Sequence, residues 1–300
     1  MDRLDSMSVF VAVVETGGFS AASRRLAMPL ATVSRKVSEL EDHLRVRLLN
    51  RTTRRVTLTE PGRNFFEACQ RILDDLREAE SAAGGEQETP HGELTVTAPI
   101  VFGRLHVLPI VNKFLKAFEH VKVQLILVDR LVNLIEEQVD LAVRIGRLPD
   151  SSLVATRIGT IGTVTCASPG YLADRGIPKT PRDLAQHDCI LFRGLAAFPK
   201  DWAYESSGKK IVVSVPSRLV VTTAEAAIDA AHAGVGIARV LSYQVAEPIK
   251  RGRLKAVLSA YEPKPYPASL VYPGGRHAPA KLRAFLDFSV PRLRAKLSAI

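Results

Sequence analysis

Residues 19–62 constrain the fold of this chain more than any other segment. They read FSAASRRLAMPLATVSRKVSELEDHLRVRLLNRTTRRVTLTEPG. Two short helical patterns are separated by a break at Ala27, Met28 and Pro29, an arginine-dense hairpin pattern follows, and a turn then opens a long helix. This order is typical of a winged helix-turn-helix, which places one helix in the DNA major groove and a wing beside it. The sequence therefore predicts a DNA-binding domain.

The distribution of charge supports this interpretation better than the total charge. The formal net charge of +10 and the pI of about 9.7 favour polyanionic partners, although many basic clusters are only solvated surfaces. Between residues 19 and 55 there are nine Lys and Arg against three acids. Five of those arginines lie from Arg45 to Arg55 with no acid among them. Because this cluster falls on the predicted wing, it favours contact with phosphates.

The first residues and the cysteines bear on where the chain works. The start, MDRLDSMSVFVAVVETGG, contains early acids and a short apolar run, which predicts neither a signal peptide nor a membrane span. Cys69, Cys166 and Cys189 are odd in number and lack C-x-x-C spacing, so we expect free thiols in a reducing compartment. These features predict a cytoplasmic protein.

The second helix of the motif is the predicted recognition helix. Val33, Val37, Leu40 and Leu44 form one apolar stripe, and the opposite face is polar. Arg35 is the first candidate for a base contact, because a guanidinium can bind guanine O6 and N7 together. Helix surface, or unspecific phosphate contact, is the alternative for the small hydroxyl residues on this face. The residues predicted to contact DNA from this helix are Pro29, Leu30, Ala31, Thr32, Ser34, Arg35 and Lys36.

The wing and the helix after it complete this half of the chain. Residues 50–59 alternate as a two-stranded wing, on which Arg51, Thr52, Thr53 and Arg54 would contact phosphates or the minor groove. Apolar residues then recur with 4-3-4-3-4 spacing, a narrow seam typical of a helix that pairs with another helix. Packing onto its own domain is the alternative. The predicted dimerisation seam consists of Phe65, Cys69, Ile72, Leu76, Ala79 and Ala83.

After a polar linker at 84–90, strand and helix patterns alternate. The predicted elements are strands at 94–98, 121–127, 140–145, 211–221 and 235–240, and helices at 107–118, 131–139, 222–233 and 280–288. A capping box from Thr222 to Glu225 opens one of these helices. Repeated βαβ units predict mostly parallel sheets in two α/β halves with a cleft between them. Helix amino ends at such a cleft favour anionic ligands.

The whole layout resembles that of the LysR-type transcriptional regulators. VSRKVSELEDHL and RLLNRTTRRVTLTEPGRNFFE resemble the N-terminal signature of that family, and TAPIVFGRLHVLPIVNKFL and DLAVRIGRLPDSSLVA resemble its CrgA-like branch. The resemblance implies an α/β protein with a winged helix-turn-helix domain at 1–62, a linker helix and hinge at 63–91, and a two-lobed effector domain at 92–300 similar to periplasmic binding proteins. The two lobes would be about 92–163 plus 267–300, and 164–266.

The resemblance also implies a function and partners. The expected function is sequence-specific regulation of transcription at promoter DNA, modulated by a small molecule, by a homodimer or homotetramer that acts with RNA polymerase. Family members often carry Ser or Thr and Gln or Pro where this chain has Pro29, Leu30 and Ala31. Apolar contact, such as with a thymine methyl group, is therefore expected at those positions.

The effector site is implied by the resemblance position by position. Arg144 or Arg193 would bind a carboxylate, with a structural ion pair as the equal alternative. Val101 stands where related chains often place a hydroxyl residue, which leaves a less acidic or more apolar effector open. The expected pocket residues are Ala98, Pro99, Ile100, Val101, Phe102, Arg144, Gly146, Phe192, Arg193, Thr222 and Thr223.

No pattern predicts a cofactor, a metal site or catalysis. Gly234 and Gly236 lack the third glycine and the preceding strand of a dinucleotide loop, and the seven histidines are scattered. The alternative function is a solute-binding or enzymatic α/β domain with a basic N-terminal module that contacts other proteins. DNA binding that depends on Arg35 and Arg54 would distinguish the two functions.

Overall fold

The computed structural model describes residues 2–51, 56–84, 89–149, 152–192, 201–274 and 278–298. The chain divides into two compact units, Met1–Thr89 and Pro90–Ile300. In the part of the chain described, every helix is too short or too polar to span a membrane. We call Met1–Thr89 the N-terminal unit and Pro90–Ile300 the regulatory unit.

The N-terminal unit is the predicted winged helix-turn-helix followed by a long helix. Its elements are α1 (Arg3–Glu15), α2 (Phe19–Arg25), α3 (Leu30–Leu44), β1 (Leu49–Arg51), β2 (Val56–Leu58) and α4 (Glu60–Gly84). The Asp2 carboxylate starts α1 by accepting the N–H groups of Leu4 and Asp5 at 3.1 and 3.3 Å. Strands β1 and β2 pair antiparallel as the wing. The helices meet around Phe10 and Val37, which are wholly buried.

The first sheet of the regulatory unit is accompanied by a long helical run near the start of the unit and by the last helix of the chain. Its elements are β3 (Gly92–Ala98), α5 (Ile100–Phe102), a π turn (Gly103–Val107), α6 (Leu108–Ala117), β4 (Val121–Leu127), β5 (Leu141–Ile145), β6 (Leu153–Ile161), β14 (Tyr266–Pro273) and α10 (Ala280–Leu297). The strand order is β4-β3-β5-β14-β6. Strands β4 and β5 run parallel to β3, whereas β14 is antiparallel to β5 and β6.

The second sheet is built from the residues between β6 and β14. Its elements are β7 (Thr163–Ala167), α7 (Pro169–Arg175), a 3-10 turn (Pro181–Gln186), β8 (Cys189–Phe192), β11 (Ser217–Val221), α8 (Ala224–His232), β12 (Ile237–Leu241), α9 (Ser242–Lys250) and β13 (Lys255–Val257). A hairpin of β9 (Asp201–Ser206) and β10 (Lys209–Ser214) and a second 3-10 turn (Ser259–Tyr261) complete it. The strand order is β11-β8-β12-β7-β13.

The prediction of mostly parallel sheets is wrong. Each five-stranded sheet has two parallel and two antiparallel neighbouring pairs. The antiparallel pairs arise where the chain crosses between the sheets, because β6 and β14 belong to one sheet while β7 and β13 belong to the other. Local apolar patterns do not reveal such crossings, since they record burial and not strand direction.

The predicted helix at 131–139 is absent, and its residues form turns. The Asn133 side chain accepts the N–H groups of Ile135 and Glu136, and the Glu137 carboxylate accepts the Asn133 N–H and pairs with Arg130. These bonds hold one turn, which ends at Gln138 with φ 54°. Side chains that bond nearby backbone groups compete with a continuing helix.

Two further element boundaries differ from the predicted ones. The strand expected at 211–221 is two strands, β10 and β11, separated at Val215 and Pro216. Pro216 has no N–H to donate, and the residues on either side of it pair with different strands, β10 with β9 and β11 with β8. The last helix continues to Leu297 rather than ending at 288, with Pro291 inside it.

Candidate DNA interface and effector cleft

Helix α3 buries one face and presents the other. Val33, Val37 and Leu40 are at most 1% exposed, which fixes the rotation of the helix about its axis. Leu30 is 48% exposed, and Pro29 and Ala31 are also exposed. Thr32 and Ser34 are half-buried. The predicted contact residues at the start of this helix therefore lie on or beside its outward face.

The two basic residues of α3 differ in their surroundings. The Arg35 side chain is 67% exposed and makes a 3.4 Å pair with Glu39 one turn on, a surface pair that holds the guanidinium weakly. The Lys36 Nζ is bound to the Asp5 carboxylate on α1, and only 20% of its side chain is exposed. Sequence patterning grouped the two, but the structure separates an exposed, weakly paired cation from one that joins α1 to α3.

Side chains of the unit anchor the wing to α3 and α4. The Glu41 carboxylate of α3 accepts the N–H groups of Leu48 and Leu49 at 2.8 and 3.0 Å. The Thr59 hydroxyl donates to the Arg47 carbonyl at 2.7 Å and accepts the Gly62 N–H at 2.9 Å. A Cβ at Gly62 would lie 1.9 Å from the Leu48 carbonyl oxygen, so only glycine fits there. These anchors fix the strand pair relative to α3.

The predicted wing contacts are placed only in part. The backbone of Arg51 pairs with Val56 at the end of β1. Thr52, Thr53 and Arg54 lie outside the described residues. Glu41 and Gly62, which sequence reasoning missed, hold the wing from its base.

One position of the predicted dimerisation seam, Cys69, is a core residue of its own unit. Cys69 is wholly buried in the core of the N-terminal unit, and burial raises the pKa of its thiol to about 12. Phe65 is half-buried with its ring 5.8 Å from the ring of Phe10 on α1. The first turns of α4 therefore pack on their own unit. Farther along, Ile72 is 43% exposed and Leu76 is half-buried, while the side chains of Ala79 and Ala83 lie outside those described.

The first group of predicted effector residues lies at the carboxyl edge of the first sheet. Ala98 ends β3, and the helical run 100–117 follows Pro99 directly. The Ile100 N–H donates to the Asp129 carboxylate at 3.0 Å. Because β5 lies next to β3, Gly146 (φ 130°) leaves the same edge.

Three residues of this group, Ala98, Val101 and Phe102, are core residues, which corrects their assignment as effector contacts. Val101 is 4% exposed and Phe102 is wholly buried. The Phe102 ring packs edge-on against Tyr243 of α9 at 5.3 Å and lies 4.9 Å from His106. Burial, with a smaller effect of the Lys296 charge, lowers the pKa of His106 to about 4. These aromatic rings join the two halves of the regulatory unit.

Arg144 has a backbone partner in the structure. Its Nη2 donates to the Val132 carbonyl in the turn segment that replaces the predicted helix. Burial lowers the pKa of this half-buried guanidinium, and the Glu137 charge partly opposes that effect. Arg144 is therefore neither a free cation ready to bind a ligand nor one member of a simple ion pair.

The second group lies at the carboxyl edge of the second sheet. Phe192 ends β8, opposite Val221 of β11, and is buried. The residue that starts α8 is Thr223, whose hydroxyl accepts the Ala226 N–H at 3.2 Å. The predicted capping box from Thr222 to Glu225 is therefore not formed, because Thr223 is the cap and the third helical residue is Ala226, which has no side-chain acceptor. Arg193 lies outside the described residues.

A buried polar network in the second half also escaped sequence reasoning. Arg239 of β12 pairs with Glu262 at 2.8 Å, and Glu262 also accepts the hydroxyls of Thr163 and Thr165 at 2.6 and 2.7 Å. The Arg239 guanidinium lies 4.5 Å from the centre of the Tyr204 ring. The bonds join the two segments through which the chain crosses between the sheets.

Comparison with known proteins matches both units to one family. The model described as "Bacterial regulatory helix-turn-helix protein, lysR family" matches residues 4–63, and the model "LysR substrate binding domain" matches residues 87–294. The transcriptional regulator CrgA of Neisseria meningitidis is 36% identical over 96% of this chain and 96% of its own length. A transcriptional repressor of Pseudomonas aeruginosa is 36% identical over 96% of this chain and 91% of its own.

Solved structures agree with the sequence relatives. The structure of CrgA from Neisseria meningitidis has a TM-score of 0.62 and 34% identity, and the match covers 96% of this chain and 98% of that one. An N-terminal helix-turn-helix with a two-lobed regulatory domain defines a ligand-responsive transcriptional regulator and not an enzyme. The chain belongs to the LysR family of transcriptional regulators, and it resembles the CrgA members of that family.

Proposed function

We propose that this regulator reads its operator with the outward face of α3 and that Arg35 is its principal base-contacting residue. The observation that carries the proposal is the exposed, weakly paired guanidinium on a helix whose opposite face is buried. A guanidinium in the major groove binds guanine O6 and N7, a contact worth about 1–3 kcal/mol of discrimination. The surrounding contact surface is formed by Pro29, Leu30, Ala31, Thr32 and Ser34, with Lys36 at its edge.

The wing adds contacts that carry no sequence information. We assign Arg51, Thr52, Thr53 and Arg54 to phosphates or to the minor groove beside the site of α3. The anchoring of the base of the wing through Glu41 and Thr59 supports this assignment, because it fixes the described strands β1 and β2 relative to α3. Arginine at such positions strengthens binding to any sequence.

A gel shift on the upstream DNA of the gene, with random competitor DNA and varied salt, tests the operator proposal. Arg35→Ala should weaken specific binding by about 10- to 100-fold and random binding much less. Arg54→Ala should weaken both to similar degrees and lower the salt slope by about one. Arg71→Ala on α4 is the matched control. Equal losses on both DNAs for Arg35→Ala would show that Arg35 is not a base reader.

We further propose that a small effector binds where the carboxyl edges of the two sheets face the lobe junction. The predicted effector residues that are exposed or half-buried support this placement, because they follow the carboxyl ends of neighbouring parallel strands in the two sheets. The proposed contact residues are Pro99, Ile100, Arg144, Gly146, Arg193, Thr222 and Thr223, with Ala98, Val101, Phe102 and Phe192 packed beneath them. Effector binding would change the arrangement of the two subunits of a pair relative to each other and so alter DNA bending.

The oligomer is proposed to form through the later turns of α4. Ile72, which is 43% exposed, and the half-buried Leu76 support this, since the N-terminal unit leaves part of each side chain uncovered. Ala79 and Ala83 would continue the contact. Ile72→Asp should shift sedimentation toward the monomer, with Glu67→Asp on the same helix as control. Unchanged sedimentation of Ile72→Asp would place the dimer contact elsewhere.

The remaining assignments follow from the class of protein. We propose boundaries at 1–62, 63–91 and 92–300, with lobes at about 92–163 plus 267–300 and at 164–266. The protein would act on promoter DNA in the cytoplasm as a homodimer or homotetramer and would work through RNA polymerase.

A further inference from the structure

The two lobes of the regulatory unit, each built on one of the sheets, are connected where the chain crosses after β6 and again before β14. Gly162 is the single residue between β6 and β7. Residues 262–265 form the other crossing, from the second 3-10 turn to β14, and have no regular secondary structure. Two of them, Pro263 and Pro265, have no backbone N–H to donate. The backbone of this crossing therefore offers few hydrogen-bond donors to the first one.

Strand pairing between the two crossing segments is interrupted at the boundary of the lobes. In the first lobe, β6 and β14 pair as far as Ile161 and Tyr266. In the second lobe, β7 and β13 pair from Thr165 and Val257 onward. Residues 162–164 and 258–265, all of which the structure describes, make no strand pair with each other. Side chains are therefore left to fix how the two crossings lie relative to each other.

The Glu262 carboxylate joins the crossings in this gap. One of its oxygens accepts the Thr165 hydroxyl at 2.7 Å. The other accepts the Thr163 hydroxyl at 2.6 Å and an Arg239 N–H at 2.8 Å. Because Thr165 gives its only O–H to Glu262, the Tyr204 hydroxyl donates to Thr165 at 2.9 Å. One carboxylate of the second crossing thus binds the strand that continues the first crossing and its neighbour β12.

The ion pair within this network is largely shielded from solvent. The side chains of Arg239 and Glu262 are 7% and 13% exposed. A buried ion pair is weak evidence of stability, because apolar side chains of similar volume often stabilise a protein equally well or better. Its hydrogen bonds are directional, however, so they favour one arrangement of the segments that they join. In this protein those segments are the two connections between the lobes.

We propose that Glu262 is a positioning residue that fixes the angle between the two lobes by holding the crossings in one arrangement. Without its bonds each lobe would keep its own core, and the lobes would sample a wider range of angles. The carboxyl edges of the two sheets belong to different lobes, so this angle sets their separation. The inference goes beyond the proposed effector site, because it concerns the connection of the lobes and is independent of any ligand.

Pulsed electron–electron double resonance, which measures the distance between two spin labels, tests the proposal on the full-length protein. Ala246→Cys on α9 and Ala295→Cys on α10 place one label on each lobe, at exposed positions. The native thiols are buried and should not react with the label; they are Cys69, Cys166 and Cys189. Excess unlabelled protein keeps distances between subunits out of the measurement.

Replacing the ion pair by apolar side chains separates positioning from stability. Arg239→Met with Glu262→Leu should broaden the distance distribution, while Tm of the regulatory unit stays near that of the wild type or rises. Arg175→Met with Asp188→Leu is the matched control, because it removes a 3.3 Å pair that lies within the second lobe. The control should leave the distribution unchanged. A lower Tm with a distribution of wild-type width would show that the Glu262 pair only stabilises the fold.

A second variant keeps the test decisive if the apolar replacement does not fold. Thr163→Val with Thr165→Val removes two donors to Glu262 with little change of shape and leaves the Arg239 pair in place. This variant should also broaden the distribution. A distribution of wild-type width in either variant would overturn the proposal. The measurement involves neither DNA nor a ligand, so its failure would leave the proposals for the operator and the effector intact.

Discussion

The two units differ in charge in the direction opposite to the one that their roles suggest. Residues 1–89, which contain the DNA-binding motif, hold 13 Lys and Arg against 14 Asp and Glu, a net charge of −1. Residues 90–300 hold 28 against 17, a net charge of +11. The excess positive charge of this DNA-binding protein therefore lies in its regulatory unit. Total charge was weak evidence for DNA binding, and placement of charge is the stronger evidence.

Placement separates the cations of the N-terminal unit into two kinds. Lys36 and Arg25 are bound to Asp5 and Glu15, and the Arg25 pair is 2.7 Å long. Arg35 is held only by an exposed pair one turn away. Acids that bring the net charge of the unit close to zero therefore pair with Lys36 and Arg25. They leave Arg35, on the outward face of α3, with only an exposed pair.

The largest expected effect comes from disturbing the close approach of Gly62 to Leu48 at the base of the wing. Gly62→Ala would drive a Cβ into the Leu48 carbonyl, and overpacking of this kind costs about 1–3 kcal/mol or more. We expect at least a tenfold loss of operator binding and earlier unfolding of the N-terminal unit, while the regulatory unit is unchanged. Gly18→Ala is the control, because nothing lies within 4 Å of the added Cβ. Gel shift and thermal unfolding measure both effects.

The difference between the two basic residues of α3 is the next test. Arg35→Ala should cost operator discrimination by about 1–3 kcal/mol. Lys36→Ala should instead mainly lower the stability of the N-terminal unit, because its partner Asp5 lies on α1. Binding isotherms on operator and random DNA, together with urea unfolding, separate the two. Greater loss of discrimination from Lys36→Ala than from Arg35→Ala would reverse the assignment.

The regulatory unit should show its own pH dependence. The folded pKa of His106 is about 4, below its unfolded value, so the unfolded chain binds the proton first as pH falls. The contribution of His106 is present above pH 6.5 and is lost between pH 6.5 and 4. His106→Phe should flatten the decline of Tm over this window, measured by calorimetry of the regulatory unit's transition. An unchanged decline would assign the pH dependence to other groups.

The smallest expected effect tests whether the positive regulatory unit contributes to DNA affinity. Lys250 and Arg253 are exposed at the end of α9 and in the turn after it. Replacing both by Glu should change operator affinity by no more than about twofold, because exposed charges are largely screened at physiological salt. A tenfold loss in the gel shift would show that the excess charge of this unit binds DNA.

Local patterns predicted those elements whose neighbours lie close in sequence. The apolar stripe of Val33, Val37 and Leu40 predicted α3 and its buried face. Alternation predicted β3 and β4, and a continuous apolar run predicted β5. The helix-turn-helix needed nothing else, because its packing partners are consecutive. The family assignment, carried by the wing and linker phrases, is confirmed by the comparisons.

Patterns misled where a side chain makes contacts or hydrogen bonds that apolar periodicity does not record. Cys69 has the spacing of a seam between two helices, yet the same spacing also fits packing on α1. Its side chain lies in the core of its own unit. Residues 131–139 have helical periodicity, but the bonds of Asn133 and Glu137 stop the helix after one turn. Lys36 looked like part of a basic face because Asp5 is 31 positions away.

The sequence by itself determined the order of elements in the N-terminal unit, the buried face of α3 and the family, because these depend on local periodicity and on contiguous motifs. Tertiary structure decided which strands run antiparallel, which cations are already paired, and that Asp129 fills the helix start assigned to a ligand. The physical reason is that strand direction, ion pairing and helix capping across 29 positions depend on where the chain returns in space. Apolar periodicity records only which side of an element is buried.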